Sequence, residues 1–350
     1  MVLDPAGRWL EGWRSRFASH RIDRLRSAAV HHPHPDPHEL RAHAIDGDRL
    51  DELHHPYDLP STTLFDDFCD RLIFGADLDA LVRRTRACAI RPQARGAVVE
   101  LEDGSAIAAR RVVIATNPVQ RTMPPEASDR TDRRIRHGDD VDLRRCRHLH
   151  DRPIDVVGGG LTAVQLAVGA AGAGARVRLI SRRPLVERQF DVNPGWLGPR
   201  ELDHYRRCSH ERRRVLIDQA RGGGSVPAGD LERLARSPVE HLIDAEAVAF
   251  ALAGAAEEIW FPTGHRLDAT TDPLLAQLRT AAPTPIHDGL PCLDEDLRWP
   301  GTDVHLMGGY AALTLGPAAR NLWGARWAAG RIADSIRTQT NEPPVQEDTP

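Results

Sequence analysis

Apolar positions in this chain fall into short runs that end in small residues, the pattern of buried parallel strands leading into turns. The clearest run, Ile154-Asp155-Val156-Val157, leads into Gly158-Gly159-Gly160-Leu161-Thr162-Ala163. The alanine-rich stretch after it predicts a helix from Leu161 to Ala171, ended by Gly172 and Gly174. Arg176 to Ser181 then predicts a second strand, completing a strand–helix–strand unit. Val98 to Ser105 reads as a hairpin with an Asp-Gly turn, leading to a buried strand over Arg111 to Pro118. Ile259 to Gly264 reads as a strand ending in a threonine-containing turn, and Asp303 to Gly309 as a strand entering a glycine turn. Gly316 to Leu322 opens a helix with Pro317 at its first position, and Ala325, Ala328, Ala329 and Ile332 extend its apolar stripe.

The central unit carries the chemistry. In Gly158-x-Gly160-x-x-Ala163 the first glycine permits a tight turn and the second lets backbone approach a pyrophosphate. The small third position lets helix and strand pack closely. The pyrophosphate then meets the free N–H groups of Leu161, Thr162 and Ala163 at a helix N-terminus. Where an NAD site usually places an acid against the ribose 2′-hydroxyl, this chain has Ser181, Arg182 and Arg183. Guanidinium groups there favour the 2′-phosphate of NADPH; the other reading is a solvated basic loop.

Composition narrows the field. A length of 350 residues with 41% hydrophobic residues suggests two domains with buried cores. The net charge of −4 dedicates no face to nucleic acid, and no apolar run is long enough to span a membrane. Met1-Val2-Leu3-Asp4 is not a basic-then-apolar leader, so a cytoplasmic location is expected. Cys69, Cys88, Cys146, Cys208 and Cys292 form neither a C-x-x-C pair nor a zinc-type cluster, so no dithiol chemistry and no metal is expected. The chain contains no lysine, which excludes a Schiff-base mechanism.

Three further stretches shape the organisation. Arg130 to His150 is polar and charge-rich, as befits a connection between domains. Glu201 to Arg221 reads as one arginine-rich helix, followed by a loop, Gly222-Gly223-Gly224-Ser225. Thr338 to Pro350 has the composition of a disordered tail. His31, His32, His34 and His38 are interleaved with Pro33, Pro35 and Pro37, which predicts an extended run with its side chains on opposite faces, unsuited to a metal.

With these residues in view, the chain resembles the flavin-dependent, NADPH-using N-hydroxylating monooxygenases, the lysine and ornithine hydroxylase group, and the wider flavin-containing monooxygenases. Beside the central fingerprint the resemblance rests on Leu25-Arg26-Ser27, the His31 to Pro37 segment, Tyr57 to Phe65, Phe190 to Gly198 and Gly316 to Leu322. It implies an α/β fold of two Rossmann-like, three-layer domains, with the NADPH domain inserted into an FAD domain. The expected division is 1–125 and 265–337 for FAD, 126–264 for NADPH, and 338–350 for the tail. Asp4 would bond the adenosine ribose of FAD, and Gly308, Gly316 and Ala318 would face the flavin, the helix after Gly316 either aiming its dipole at the flavin or merely packing. The His31 to Pro37 segment would line the flavin pocket or form an ordinary loop.

The resemblance also implies an opening strand and Gly-x-Gly-x-x-Gly turn for FAD that this chain lacks, so the FAD domain is expected to be N-terminally incomplete. In the usual strand order that strand is central. Each buried backbone group it leaves unpaired costs about 1–3 kcal/mol, against a net domain stability of roughly 5–15 kcal/mol. A misplaced start or a fragment is the favoured explanation. The function expected is hydride transfer from NADPH to flavin and then oxygen activation, on a small substrate such as an amine, with no catalytic acid or base identifiable. The alternatives are a flavin-free NADPH reductase, which needs a Tyr or His proton donor although Tyr57, Tyr205 and Tyr310 show no Tyr-x-x-x-Lys pattern, and a non-catalytic nucleotide-binding remnant.

Overall fold

In the computed structural model, residues 1–116, 120–128 and 131–341 are described, without the side chains of 146–148 and 339–341. The largest sheet is parallel throughout, in the spatial order Ile135–His137, Glu258–Phe261, Pro153–Val157, Arg176–Ser181, Glu240–Ile243. Its central strands are mostly apolar on both faces because helices cover both. Ile154, Val156 and Leu179 pack with Val164, Leu166 and Ala167 of the helix Leu161–Gly172. Val157, Ile180 and Ile259 pack with Ala247 and Ala251 of the helix Ala247–Ala253 on the other side. Asp155 interrupts the apolar run, yet it is 1% exposed. Its carboxylate takes two bonds of 2.7 Å from Arg178, its register partner on the neighbouring strand, so the buried charge is matched.

The other half holds two parallel pairs, Val2–Asp4 with Val82–Arg84 and Val112–Ile114 with Val304–Leu306. Among the described residues no strand joins one pair to the other. Ala87–Pro92, Ala97–Leu101 and Ala106–Ala109 form an antiparallel sheet between them in sequence. An N-terminal helical lobe closes around Leu40, Leu64, Phe65 and Phe68. Its longest helix, Thr62–Gly75, starts where the Ser61 hydroxyl accepts the Leu64 N–H at 3.0 Å. The antiparallel pair Gln120–Arg121 and His265–Arg266 links the two halves. The whole is an α/β chain of two Rossmann-like dinucleotide-binding domains.

Several elements differ from the sequence reading. The polar 130–150 stretch supplies the edge strand Ile135–His137, since an edge needs only one apolar face. The single helix expected over 201–221 is two, Pro199–Arg206 and His210–Arg221, because the Ser209 hydroxyl caps the second by accepting the Arg212 N–H. The 98–105 hairpin gains a third strand, Ala87–Pro92. The strand sought over 111–118 is confined to Val112–Ile114 and leaves Val113 exposed; Asn117 and Pro118 lie outside the described residues. The helix Leu322–Asn341 runs four residues into the expected tail, and 342–350 lie outside the described residues. The histidine–proline run bends rather than extends: Asp36 N–H bonds His34 Nδ1, and the Asp36 carboxylate accepts His38 N–H.

Candidate functional site

The glycine turn lies between Pro153–Val157 and Glu258–Phe261, where the strand order reverses and α/β sheets leave a crevice at their carboxyl ends. Gly158 N–H bonds the Ile180 carbonyl at 3.0 Å, tying the turn to the second strand. Gly160 caps the helix, its carbonyl accepting from Ala163 and Val164. The first-turn N–H groups of Leu161 and Thr162 therefore point outward, as an anion requires. A side chain at Gly158 would sit 3.2 Å from the Ala163 Cβ, so the small third position does let strand and helix close up.

The segment facing Gly160 was not legible in sequence. The loop of Gly222, Gly223 and Gly224 crosses the turn backbone to backbone. A Cβ on Gly224 would fall 2.8 Å from the Gly160 Cα and 3.0 Å from the Gly159 carbonyl oxygen. Arg26 fastens the far end of this loop, donating to the Ser225 hydroxyl at 2.9 Å and to the Gln189 and Arg188 carbonyls. The three glycines after a helix end were the available signal. Space is freer at Gly159, where an added Cβ would make only ordinary contacts with Ser181 and Leu185.

At the ribose end, Ser181 is buried. Its hydroxyl donates to the Arg183 carbonyl at 2.8 Å, which leaves its oxygen to accept from His241 Nε2 at 3.0 Å. Burial keeps that imidazole below its ordinary pKa, and so neutral. Arg182 and Arg183 are exposed, and among the described residues neither forms an ion pair. Two unpaired guanidinium groups at the end of the second strand make a ready phosphate receptor.

The residues assigned to the flavin half are more scattered. Asp4 ends its strand as expected, but its Oδ1 accepts the Ala6 N–H at 2.7 Å and so serves its own turn. Gly308 opens the turn after Val304–Leu306. Gly316 precedes a single 3-10 turn, Pro317–Arg320, before the long helix begins at Leu322. Ala318 is fully buried against Leu202 and Trp323. A cavity of about 1130 Å³ opens between Pro33 and Pro35 on one side and Arg326, Trp327 and Arg331 of the long helix on the other. The histidine–proline segment thus lines a cavity, some way along the chain from the glycine turn. His32 itself is core, edge-on to Phe68 at 5.0 Å, and burial lowers its pKa.

The proton donors considered for a flavin-free reductase are also placed. Tyr205 donates to the Ala312 carbonyl at 2.7 Å and Tyr310 to Asp272 at 3.0 Å; both are buried, and burial raises both phenols well above their ordinary pKa. Tyr57 is exposed and packs edge-on against Phe190. Near the linking pair, Asp139 accepts from His265 at 2.6 Å and pairs with Arg16 at 2.8 Å and Arg121 at 3.6 Å. Burial opposes its charge, but these partners prevail and hold its carboxyl below the usual range. With two arginines and an imidazole on one carboxylate, this knot is an ion-pair network.

Residues 73–194 match the pyridine nucleotide-disulphide oxidoreductase family model, a span that includes the glycine turn and both arginines. No curated protein matches the chain. Among solved structures it is similar to the FAD-bound cadaverine monooxygenase of desferrioxamine biosynthesis from Erwinia amylovora, at 14% identity and a TM-score of 0.71 over 96% of this chain and 87% of that one. It is similar too to reduced ornithine hydroxylase from Pseudomonas aeruginosa, at 14% and 0.72 over 97% and 92%. Flavin-containing monooxygenase from Stenotrophomonas maltophilia aligns at 15% and 0.52 over 94% and 86%. At such identities the likeness is one of fold alone.

Proposed function

We propose that this chain is an NADPH- and FAD-dependent oxidoreductase of the monooxygenase type, acting on a small nucleophilic substrate of the amine class. The observation that carries the reading is the glycine turn at the sheet's switch point with Arg182 and Arg183 unpaired beside it. Gly158, Gly159 and Gly160 would admit the pyrophosphate, the N–H groups of Leu161 and Thr162 would neutralise it with Ala163 serving only as the small packing position, its own N–H being bonded to the Gly160 carbonyl, and the two arginines would take the 2′-phosphate. When bound, the nicotinamide supplies a hydride and the flavin accepts it and activates oxygen. Asp4, Gly308 and Gly316 would hold the flavin half. Fold similarity to a cadaverine monooxygenase and an ornithine hydroxylase supports an amine substrate.

A second reading, NADPH binding without flavin chemistry, is favoured by the division of the flavin-side strands into two separate pairs. A flavin absorption spectrum that persists through purification, with NADPH oxidation, supports the first reading; NADPH affinity in a colourless protein supports the second. For the coenzyme site, Arg182→Asp should move preference from NADPH toward NADH by about 1–3 kcal/mol, read as the ratio of the two dissociation constants. An unchanged ratio would remove Arg182 from the site.

A further inference from the structure

Three donors distant in sequence meet away from the glycine turn. His210 Nδ1 stands 3.3 Å from the Cys292 Sγ, and the His210 and His287 rings are 5.7 Å apart. One ligand atom from each of the three residues lies within 4.8 Å of the others. Glu211 Oε1 is 3.5 Å from His287 Nδ1 and lies largely in solvent. Zinc–sulfur and zinc–nitrogen bonds of about 2.3 and 2.0 Å at tetrahedral angles set neighbouring donors about 3.3–3.6 Å apart. The Cys292–His210 edge already has that length.

From this geometry we infer that His210, His287 and Cys292 bind a divalent zinc-type cation, with Glu211 or water as the fourth ligand. The donor set of two imidazoles and a thiolate is borderline-soft, which suits Zn²⁺ and disfavours Mg²⁺ or Ca²⁺. On binding, the Cys292 thiol gives up its proton to solvent as the sulfur–metal bond forms, and no electron moves.

The site is framed before any metal arrives. His287 and Cys292 flank a two-residue hairpin in which Ile286 faces Pro291 and His287 faces Leu290. Its turn residues, Asp288 and Gly289, both have left-handed φ, 43° and 82°, the geometry an Asp-Gly pair favours. A side chain at Gly289 would strike the Leu267 carbonyl at 2.5 Å. Cys292 N–H bonds the Pro285 carbonyl and the Cys292 carbonyl accepts from Thr284, which fixes the strand end. Across from it His210 begins the capped helix His210–Arg221, and Arg214, one turn on along the same face, pairs with Asp288 at 2.7 Å.

The cation would clamp the helix His210–Arg221, whose Leu216 and Ile217 share a core with Leu290 and Cys292, to a hairpin that packs on the Gly308–Ala311 turn. Sequence spacing hides the site, because His210 and Cys292 are 82 residues apart.

The test is titration of the chelator-treated full chain with Co²⁺ alone. One equivalent should bind with intense tetrahedral visible bands and a thiolate-to-cobalt charge-transfer band, and Zn²⁺ should displace it. Cys292→Ser should abolish the charge-transfer band, and His210→Ala and His287→Ala should each weaken binding by more than about tenfold, while Cys208→Ser changes nothing. Circular dichroism confirms that each variant folds. On the unaltered chain, Zn²⁺ should also protect Cys292 from alkylation, read by mass spectrometry. Absence of cobalt uptake, a spectrum without the thiolate band, or alkylation unaffected by zinc overturns the inference. None of these readouts needs NADPH or flavin, so the result is independent of the proposed activity.

Discussion

At the scale of single residues, the chain assigns its most informative side chains to positions where backbone meets backbone. Gly224 is the sharpest case: its missing side chain lets the 222–225 loop touch Gly159 and Gly160, and both obstructing neighbours are backbone atoms that cannot swing aside. Gly224→Ala should therefore cost about 1–3 kcal/mol of stability, measured as a lower urea midpoint, and weaken NADPH binding in a fluorescence titration. Gly172→Ala, whose added methyl meets nothing, is the control and should leave both unchanged. The position of Arg182 and Arg183 was legible in sequence because it depends only on where one strand ends. Gly224 was not, because its partner lies in another segment and only chain folding brings the two together.

Among the elements, the N-terminal helical lobe carries a compact charge cluster. Glu52 accepts from Arg49 at 2.5 Å, from Ser61, and from Thr63 at 2.9 Å. The Arg49 bond, joined by Ser61 and Thr63 and prevailing over the cost of burial, lowers the Glu52 pKa from 4.5 to about 2. A depressed carboxyl stabilises the fold fully above its unfolded value and loses that contribution as pH falls through its folded value. Melting temperature should thus fall between pH 4.5 and about 2, and Glu52→Gln should flatten that part of the profile; an identical profile in the variant would assign the acid sensitivity elsewhere. The same scale shows which elements a hydropathy pattern can reveal. Pro153–Val157 and Leu161–Gly172 are covered on both sides or on one continuous stripe, so their periodicity is strong. Ile135–His137 is an edge strand of three residues, too short for any pattern, and the break at Ser209 is set by one hydroxyl inside a uniformly polar stretch.

Over the whole molecule, two sheets communicate through the antiparallel pair Gln120–Arg121 and His265–Arg266, and Asp139 fastens both its strands to Arg16 and to the first turn after Ile135–His137. Asp139→Asn keeps the shape but removes the charge that holds Arg16, Arg121 and His265 together. Amide exchange should rise around 120–122 and 264–266 while the five-stranded sheet stays protected; unchanged exchange in the linking strands would show that the network does not govern this joint. No helix among the described residues is long and apolar enough to cross a membrane.

The sequence alone determined the five-residue strand, the glycine turn, its helix and the arginines after the next strand, because each arises from interactions within about thirty contiguous residues of a strand–helix–strand unit. Tertiary structure decided everything that depends on segments far apart in the chain. It set the Gly222–Gly224 loop over the turn, buried Ala318, split the flavin-side strands into two pairs, and gathered His210, His287 and Cys292. The physical reason is the range of the forces concerned: capping, turn strain and strand periodicity act between neighbours in the chain. Close packing and charge pairing act between neighbours in space, which no local pattern records.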